Sequence, residues 1–335
     1  MDFEITPKIL DLVSKIYALQ ERFSGLPLEA SWEKHLQEDA VVADTIATYK
    51  LDGGKVKVKG ISEILGLKSI KDRQILLNEY EIRKSFGLYF KSKELKIEDV
   101  NYVHRLLDNL HDETAQERGN FRKEQEVLDI EAIPDLLEKI PRYGFIRREV
   151  ESLLEQLNEN GIHMLIVAGL IHLGLVKISP YQRSNFRVAR AIGKGYMFAN
   201  GFDSKQFLAL DAIFALDIAR YRKNLEAGLD GNTVLWLEYF LEQLLHSFRE
   251  LAERIKGISA GSVRPLEKEV IPLTKRQRTI IELLKKNAQM SGSEVATVLG
   301  VTRQNIHVIM QKLLKKRIVE KVGKGTSSRY KLKII

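Results

Sequence analysis

The segment HMLIVAGLIHLGLVK, residues 163–177, limits the fold more than any other part of the chain. It is apolar around nearly its whole circumference, and a helix with no polar face must be covered on every side. It falls short of the roughly 20 residues that cross a bilayer, so it predicts the central buried helix of a helical domain. His172 inside it is expected to be a core histidine with a satisfied hydrogen bond.

Helical periodicity dominates the rest of the first 256 residues. Residues 6–23 place Ile9, Leu12, Val13, Ile16 and Leu19 on one face, with Thr6 and Pro7 as a start signal. Residues 28–50 read as a second amphipathic helix stopped by Asp52, Gly53 and Gly54. Further helices are expected at 73–86, 97–112, 145–159, 186–199, 205–226 and 233–256, with a small hairpin and turn between Val56 and Asp72. The stretch RGNFRKEQEVLD, residues 118–129, alternates after a turn and predicts a small β-hairpin. Residues 257–272 show no period and contain Gly, Ser and Pro, the composition of a linker. The expected organisation is mainly α: a helical extension over 1–95, a helical bundle over 96–256, the linker, and a separate module over 273–335. Cysteine is absent, which excludes disulfides, thiolate catalysis and cysteine-ligated zinc. With no membrane-length apolar run and no signal segment, the reading is a cytoplasmic protein without a membrane partner.

The charge is uneven. Residues 273–335 hold 15 Lys or Arg against Glu282, Glu294 and Glu320, a net of +12, while the whole chain is +8 and residues 1–272 are therefore at −4. Within this basic module, SGSEVATVLGVTRQNIHVIMQKLLKKRIV reads as a cap at Ser293, a short helix, a turn at Gly300, a second cap at Thr302 and a longer helix. Two helices joined this tightly, with Val295, Ala296 and Leu299 inward, form the helix-turn-helix pattern. The second helix starts with Arg303, Gln304, Asn305 and His307, side chains able to read base edges. Lys312, Lys315, Lys316 and Arg317 follow as phosphate contacts, and a hairpin wing around Gly323 carries Lys321, Lys324 and Arg329. Double-stranded DNA is the expected partner, against the alternative of a protein-binding domain of the same shape.

Around the central helix the chain reads His172, Leu175, Ile178, Ser179, Pro180, Tyr181, Arg183, Ser184, Asn185, Phe186, Arg187 and Arg190. This resembles, without a gap, the Fic (filamentation induced by cAMP)/Doc pattern His-x-x-Phe-x-x-Ile-His-Pro-Phe-x-(Asp/Glu)-Gly-Asn-(Gly/Lys)-Arg-x-x-Arg. Residues 118–127 are similar to the family's substrate-binding flap. RYRKNLEAG at 220–228, which includes Tyr221, and WLEYFLEQL at 236–244 are similar to its last helices. The N-terminal helices resemble the extension of Fic proteins that also carry a C-terminal winged helix. The implied fold is a Fic-like helical bundle with a small β-hairpin flap, followed by a winged helix-turn-helix domain.

The resemblance implies a transferase in active members: AMP, or another phosphate-containing group, passes to a target hydroxyl. The motif histidine is the base, the acidic residue holds a divalent cation, and the glycine turn and arginines hold the phosphates. This chain departs from the pattern. Ser179 stands at the base, and losing a positioned base costs about 10²–10⁴ in rate. Arg183 replaces the metal-binding acid and has no lone pair to offer, so no metal site is expected. Ser184 and Phe186 replace residues that accept positive φ, which distorts the phosphate cradle. The expected remainder is an anion site of Arg183, Ser184, Asn185, Phe186, Arg187, Arg190 and Tyr221. It would take ATP or another phosphate-containing ligand, with no obligatory cofactor; the competing reading pairs the arginines with the body's own acids. Many family members also carry an inhibitory helix, (Ser/Thr)-x-x-x-Glu-(Gly/Asn), whose glutamate pairs with the second motif arginine. Residues 48–53 match it through Thr48, Asp52 and Gly53, which implies that Asp52 lies within reach of Arg190 or Arg183. The function so implied is a DNA-binding transcription regulator with an inactive Fic-like domain as sensor or scaffold. An AMP transferase with an altered mechanism and a pure protein-interaction scaffold are the competing classes, and a homodimer stays open.

Overall fold

The computed structural model describes residues 2–24, 28–108, 118–123, 143–158, 161–259, 275–287, 289–299, 301–315, 319–323 and 328–332. Two compact units divide the chain, residues 1–263 and 264–335.

The first unit is helical among the described residues. Its elements are α1 (Pro7–Ser24), α2 (Ala30–Leu51), α3 (Ile61–Leu65), α4 (Ile70–Lys84), α5 (Phe86–Tyr89), α6 (Ile97–Leu107), α7 (Ile146–Asn158), α8 (Met164–Ile178), α9 (Asn185–Ala199), α10 (Leu210–Phe214), α11 (Ile218–Leu229) and α12 (Thr233–Ser259). The apolar helix α8 is the axis: Leu165 through Val176 are all buried, against α7, α9, α11 and α12. His172 bonds through Nε2 to the Tyr221 hydroxyl at 2.9 Å and stands edge-on to Trp236, so it is held inside the core. Trp236 in turn donates its indole N–H to the Gly169 carbonyl at 2.7 Å. The amphipathic α1 lies on α12, placing Ile9, Leu12 and Ile16 in the main core. A satellite core of Val41, Val42, Ile46, Tyr49, Ile64, Leu76 and Tyr80 joins α2, α3 and α4.

Four local expectations change. Between Val56 and Asp72 the chain forms the single-turn helix α3 rather than a hairpin. The helix expected over 205–226 is broken into α10, a 3-10 turn at Ala215–Asp217, and α11. Asp203 and Gln206 take positive φ just before it, and the Asp203 carboxylate accepts from Phe207 N and Leu208 N at 2.8 and 3.1 Å. A side chain that satisfies those N–H groups competes with the helix for them. The helix expected over 97–112 ends at Leu107, with Asp108 as its C-cap. Of the expected 118–129 hairpin, residues 118–123 form a turn and a bend without a strand, and 124–129 lie outside the described residues. Most of the 257–272 linker also lies outside them.

The second unit has helices α13 (Lys275–Lys286), α14 (Gly292–Leu299) and α15 (Arg303–Lys315). Its strands β1 (Met290–Ser291), β2 (Val319–Val322) and β3 (Arg329–Leu332) form one antiparallel sheet in the order β1-β3-β2. Its separate core contains Ile280, Leu284, Val295, Ile306, Met310, Leu313 and Tyr330. The cap of α14 is Ser291 rather than Ser293: Ser291 Oγ accepts from Glu294 N and Glu294 Oε2 accepts from Ser291 N, a reciprocal capping box. Thr302 caps α15 as its spacing predicts, accepting from Asn305 N at 3.3 Å. Gly300 lies outside the described residues.

Gly228 marks a close approach of three helices. A Cβ there would fall 2.8 Å from Trp236 Cβ and 2.9 Å from Leu173 Cδ1. Gly228→Ala should therefore destabilise the first unit by about 1–3 kcal/mol through overpacking. Gly144→Ala, whose methyl meets nothing within 4 Å, should change it little. Equal denaturation midpoints for both variants would contradict the packing.

Candidate functional site

The loop between α8 and α9 is held by backbone contacts. Ser179 ends α8 in the left-handed region at φ 44°, and its hydroxyl turns back to the Val176 carbonyl at 2.7 Å. Arg122, buried, donates its Nε to the Ser179 carbonyl at 2.8 Å, and its backbone N–H reaches Pro180 O at 2.9 Å. A cation thus covers the carbonyl end of the central helix. Asn185 accepts from Tyr181 N and donates to Tyr181 O, fastening the loop at 2.9 and 2.7 Å. Ser184 caps α9 at φ 65°, while Phe186 is an ordinary helical residue of its first turn. Of the two positions expected to need positive φ, Ser184 takes it and Phe186 does not.

The motif arginines meet carboxylates of the chain itself. Arg190, whose side chain is wholly buried, donates to Asp52 Oδ1 at 2.5 Å, Thr48 Oγ1 at 2.6 Å and Thr48 O at 3.2 Å. Arg187 lies 3.6 Å from Asp52 and 3.8 Å from Glu79, and donates to Ser184 Oγ at 2.5 Å. Arg83 joins the same cluster, 3.2 Å from Glu79 and 2.8 Å from Asp211. Lys194 pairs with Asp44. Four cations (Arg83, Arg187, Arg190, Lys194) therefore stand among four acids (Asp44, Asp52, Glu79, Asp211). Burial pushes Glu79 and Asp211 upward, opposed by the neighbouring arginines. Burial also opposes the charge on Arg190, but Asp52, Tyr221 and Asp211 together outweigh it and keep the guanidinium firmly protonated. Arg183 makes a separate pair, with both Nε and Nη2 on Asp108 at 3.2 and 2.9 Å. Burial raises the Asp108 carboxyl, but the Arg183 hydrogen bond and the surrounding positive charges hold it below its ordinary range. Tyr221 is turned to His172, and burial pushes its phenol up to about 12.

The structure brings Thr48 and Asp52 onto Arg190 across 142 and 138 sequence positions. Gly53, at φ 86°, ends α2 there, and Asp52 reaches Arg190 rather than Arg183. Six participants escaped the sequence reading: Asp44, Glu79, Arg83, Asp108, Lys194 and Asp211. The Glu79–Arg83 spacing of four residues was the one local signal among them. These residues do not fit a magnesium nucleotide. Arg183 has no lone pair to offer a cation and is already paired with Asp108, and Arg187 and Arg190 already face carboxylates. Among the described residues no group of three or more His, Asp or Glu is arranged to hold a metal ion.

In the second unit Arg303, Gln304, Asn305, His307 and Lys312 are exposed on α15, as is Thr302 before it. Arg329 pairs with Glu294 at 3.3 Å, both half-exposed. The side chain of Lys315, and Lys316 and Lys324, lie outside the described residues.

Two outcomes follow from the pocket. Asp52→Ala leaves a buried guanidinium with fewer acceptors, so it should cost about 1–3 kcal/mol. The melting temperature should fall by about 2–4 °C per kcal/mol, and an unchanged value would remove the pair from the account. The second concerns His104, which stacks on Tyr181 at 3.8 Å and accepts from Gly119 N at 2.9 Å. Burial pushes its imidazole down to about 4, against the upward pull of Asp108. The unfolded ring titrates near 6.5, so the stability tied to the neutral ring is complete above that pH and is lost as pH falls toward 4. The margin of the native protein over His104→Asn should therefore shrink by about 2 kcal/mol between pH 7.5 and 4.5. A constant margin would show that the ring is not held neutral.

Comparisons with known proteins agree with this fold. Residues 94–197 match the Fic/DOC family, and residues 273–320 match a winged helix-turn-helix DNA-binding family. A Fic family protein from Desulfovibrio desulfuricans G20 shares the fold with a TM-score of 0.63 at 16% identity, covering 99% of this chain and 98% of that one. Fic-1 from C. elegans aligns at 0.59 and 18% identity over 73% of this chain and 71% of its own. A Fic domain-containing signaling protein from Bacteroides thetaiotaomicron VPI-5482 aligns at 0.57 and 15% over 75% and 97%. No curated protein matches the chain. Among the described residues no helix is long and apolar enough to cross a membrane. The chain thus carries a Fic/DOC family domain in its first unit and a winged helix-turn-helix DNA-binding domain in its second.

Proposed function

We propose that this protein is a DNA-binding transcription regulator of the cytoplasm whose Fic-like domain has no transferase activity and serves as a sensor or scaffold. The observation that carries the reading is the occupation of Arg187 and Arg190 by Asp52, Glu79 and Asp211. An anionic ligand would have to compete with carboxylates already in contact. At the position of the family's base, the Ser179 hydroxyl is buried and bonded to its own helix, so no general base stands there. The sensor role draws support from Arg187 Nη1 and Arg190 Nη1, which are buried without a hydrogen-bond partner among the described residues. A small anion could add to the network at those two donors.

On DNA, the net +12 of residues 273–335 should give strong salt dependence, since each phosphate contact releases counterions. The full chain should bind duplex DNA at low salt, and Lys312→Ala should reduce the slope of log K against log salt by about one. No DNA affinity at low salt would sink the regulator reading. In a labelled-ATP assay the native protein should transfer no AMP to itself or to added acceptors, and Ser179→His alone should not start it, because Arg183 still excludes the cation. Magnesium-dependent transfer by the native protein would replace this reading with an enzyme.

A further inference from the structure

The winged helix has an exposed apolar residue that its own fold does not use. Val308 on α15 is 52% exposed, and every residue three or four positions away from it (Gln304, Asn305, Gln311, Lys312) is exposed as well. Ile306, Ile309, Met310 and Leu313 turn to the core, so Val308 stands at the centre of the face opposite it. Gln304 lies one turn before it on the same stripe. Arg303 and Asn305, by contrast, sit three positions before Ile306 and four before Ile309, at the edges of the exposed face. Isolated surface valines are common, but one at the middle of a polar helix face with amide neighbours is placed to touch whatever that face covers.

We propose that α15 recognises A·T base pairs through Gln304 and Val308, with Arg303 at the flank left to the backbone. This rests on the DNA-binding reading above and adds the class of sequence recognised. A glutamine amide matches the N6 donor and N7 acceptor of adenine in the major groove, and an apolar side chain matches the 5-methyl of thymine. Four residues of helix advance about 6 Å, roughly two steps of a duplex with 3.4 Å between bases on a strand. The adenine and the thymine therefore lie within two base pairs of each other. The central position of this pair makes it the determinant of sequence, whereas a residue at the edge meets phosphate.

The test is selection of duplexes from a randomised pool by the full-length protein, followed by binding of the selected duplex with each thymine replaced in turn by uracil. The expected result is an A·T step in the selected site, with loss of about three- to fivefold at one uracil position, the worth of one buried methyl. Val308→Ala should make the thymine and uracil duplexes equivalent, and Gln304→Ala should cut discrimination against G·C by about tenfold. Both substitutions are on the surface, and an unchanged melting temperature would separate recognition from folding. Selection of G·C at the central positions, or indifference of the native protein to every uracil, would overturn this proposal and leave DNA binding standing. Absence of any bound duplex would overturn both.

Discussion

A fully buried guanidinium governs the first unit. Arg190 has no exposed surface on its side chain, and a buried charge must be neutralised by a close partner and by hydrogen bonds. The C-terminal end of α2 supplies both, with the Thr48 hydroxyl, the Thr48 carbonyl and the Asp52 carboxylate. The negative end of that helix dipole also points at the cation. Gly53 ends α2 at that position and so sets how far Asp52 projects. Shifting α2 would leave Arg190 unpaired, which ties the helical extension to the motif helix more firmly than apolar packing alone.

Around this contact the charges form a closed set. Glu79 lies between Arg83 and Arg187, Asp211 between Arg83 and Arg190, and Asp44 neutralises Lys194. Asp44 also accepts from Ala212 N at 3.1 Å, which locks α10 to α2. The broken chain before α10 makes this feasible, because a continuous helix would carry Asp211 away from Arg83. Arg183 and Asp108 repeat the arrangement at the mouth of the loop, where Ser184 also donates to Asp108 at 3.2 Å. The chain thus neutralises these cations with its own acids.

The parts of this that the sequence discloses are local. The apolar stretch around His172, the motif register from Ser179 to Arg190, the cap at Thr302 and the match at residues 48–53 all depend on spacing within a few turns. The pairs that complete the cluster do not. Arg83 and Asp211 are 128 positions apart, and Lys194 and Asp44 are 150 apart, so no periodicity links them. Asp108 was concealed by a helix expected to run to residue 112, whereas α6 stops before it and frees its carboxylate to reach Arg183. Asp203 broke the helix expected over 205–226 through side-chain bonds to the backbone, an effect that depends on its burial as well as its identity. The β1 strand was equally hidden, since two residues between helices carry no alternation to read.

The central claim is that the motif arginines are neutralised by the chain's own carboxylates, above all by Asp52. Calorimetric titration of ATP into the native protein and into Asp52→Ala, each with and without Mg²⁺, tests it most directly. The account predicts weak, magnesium-independent binding by the native protein and at least about tenfold tighter binding by Asp52→Ala, equivalent to about 1.4 kcal/mol. Tight, magnesium-dependent binding by the native protein that Asp52→Ala leaves unchanged would contradict it.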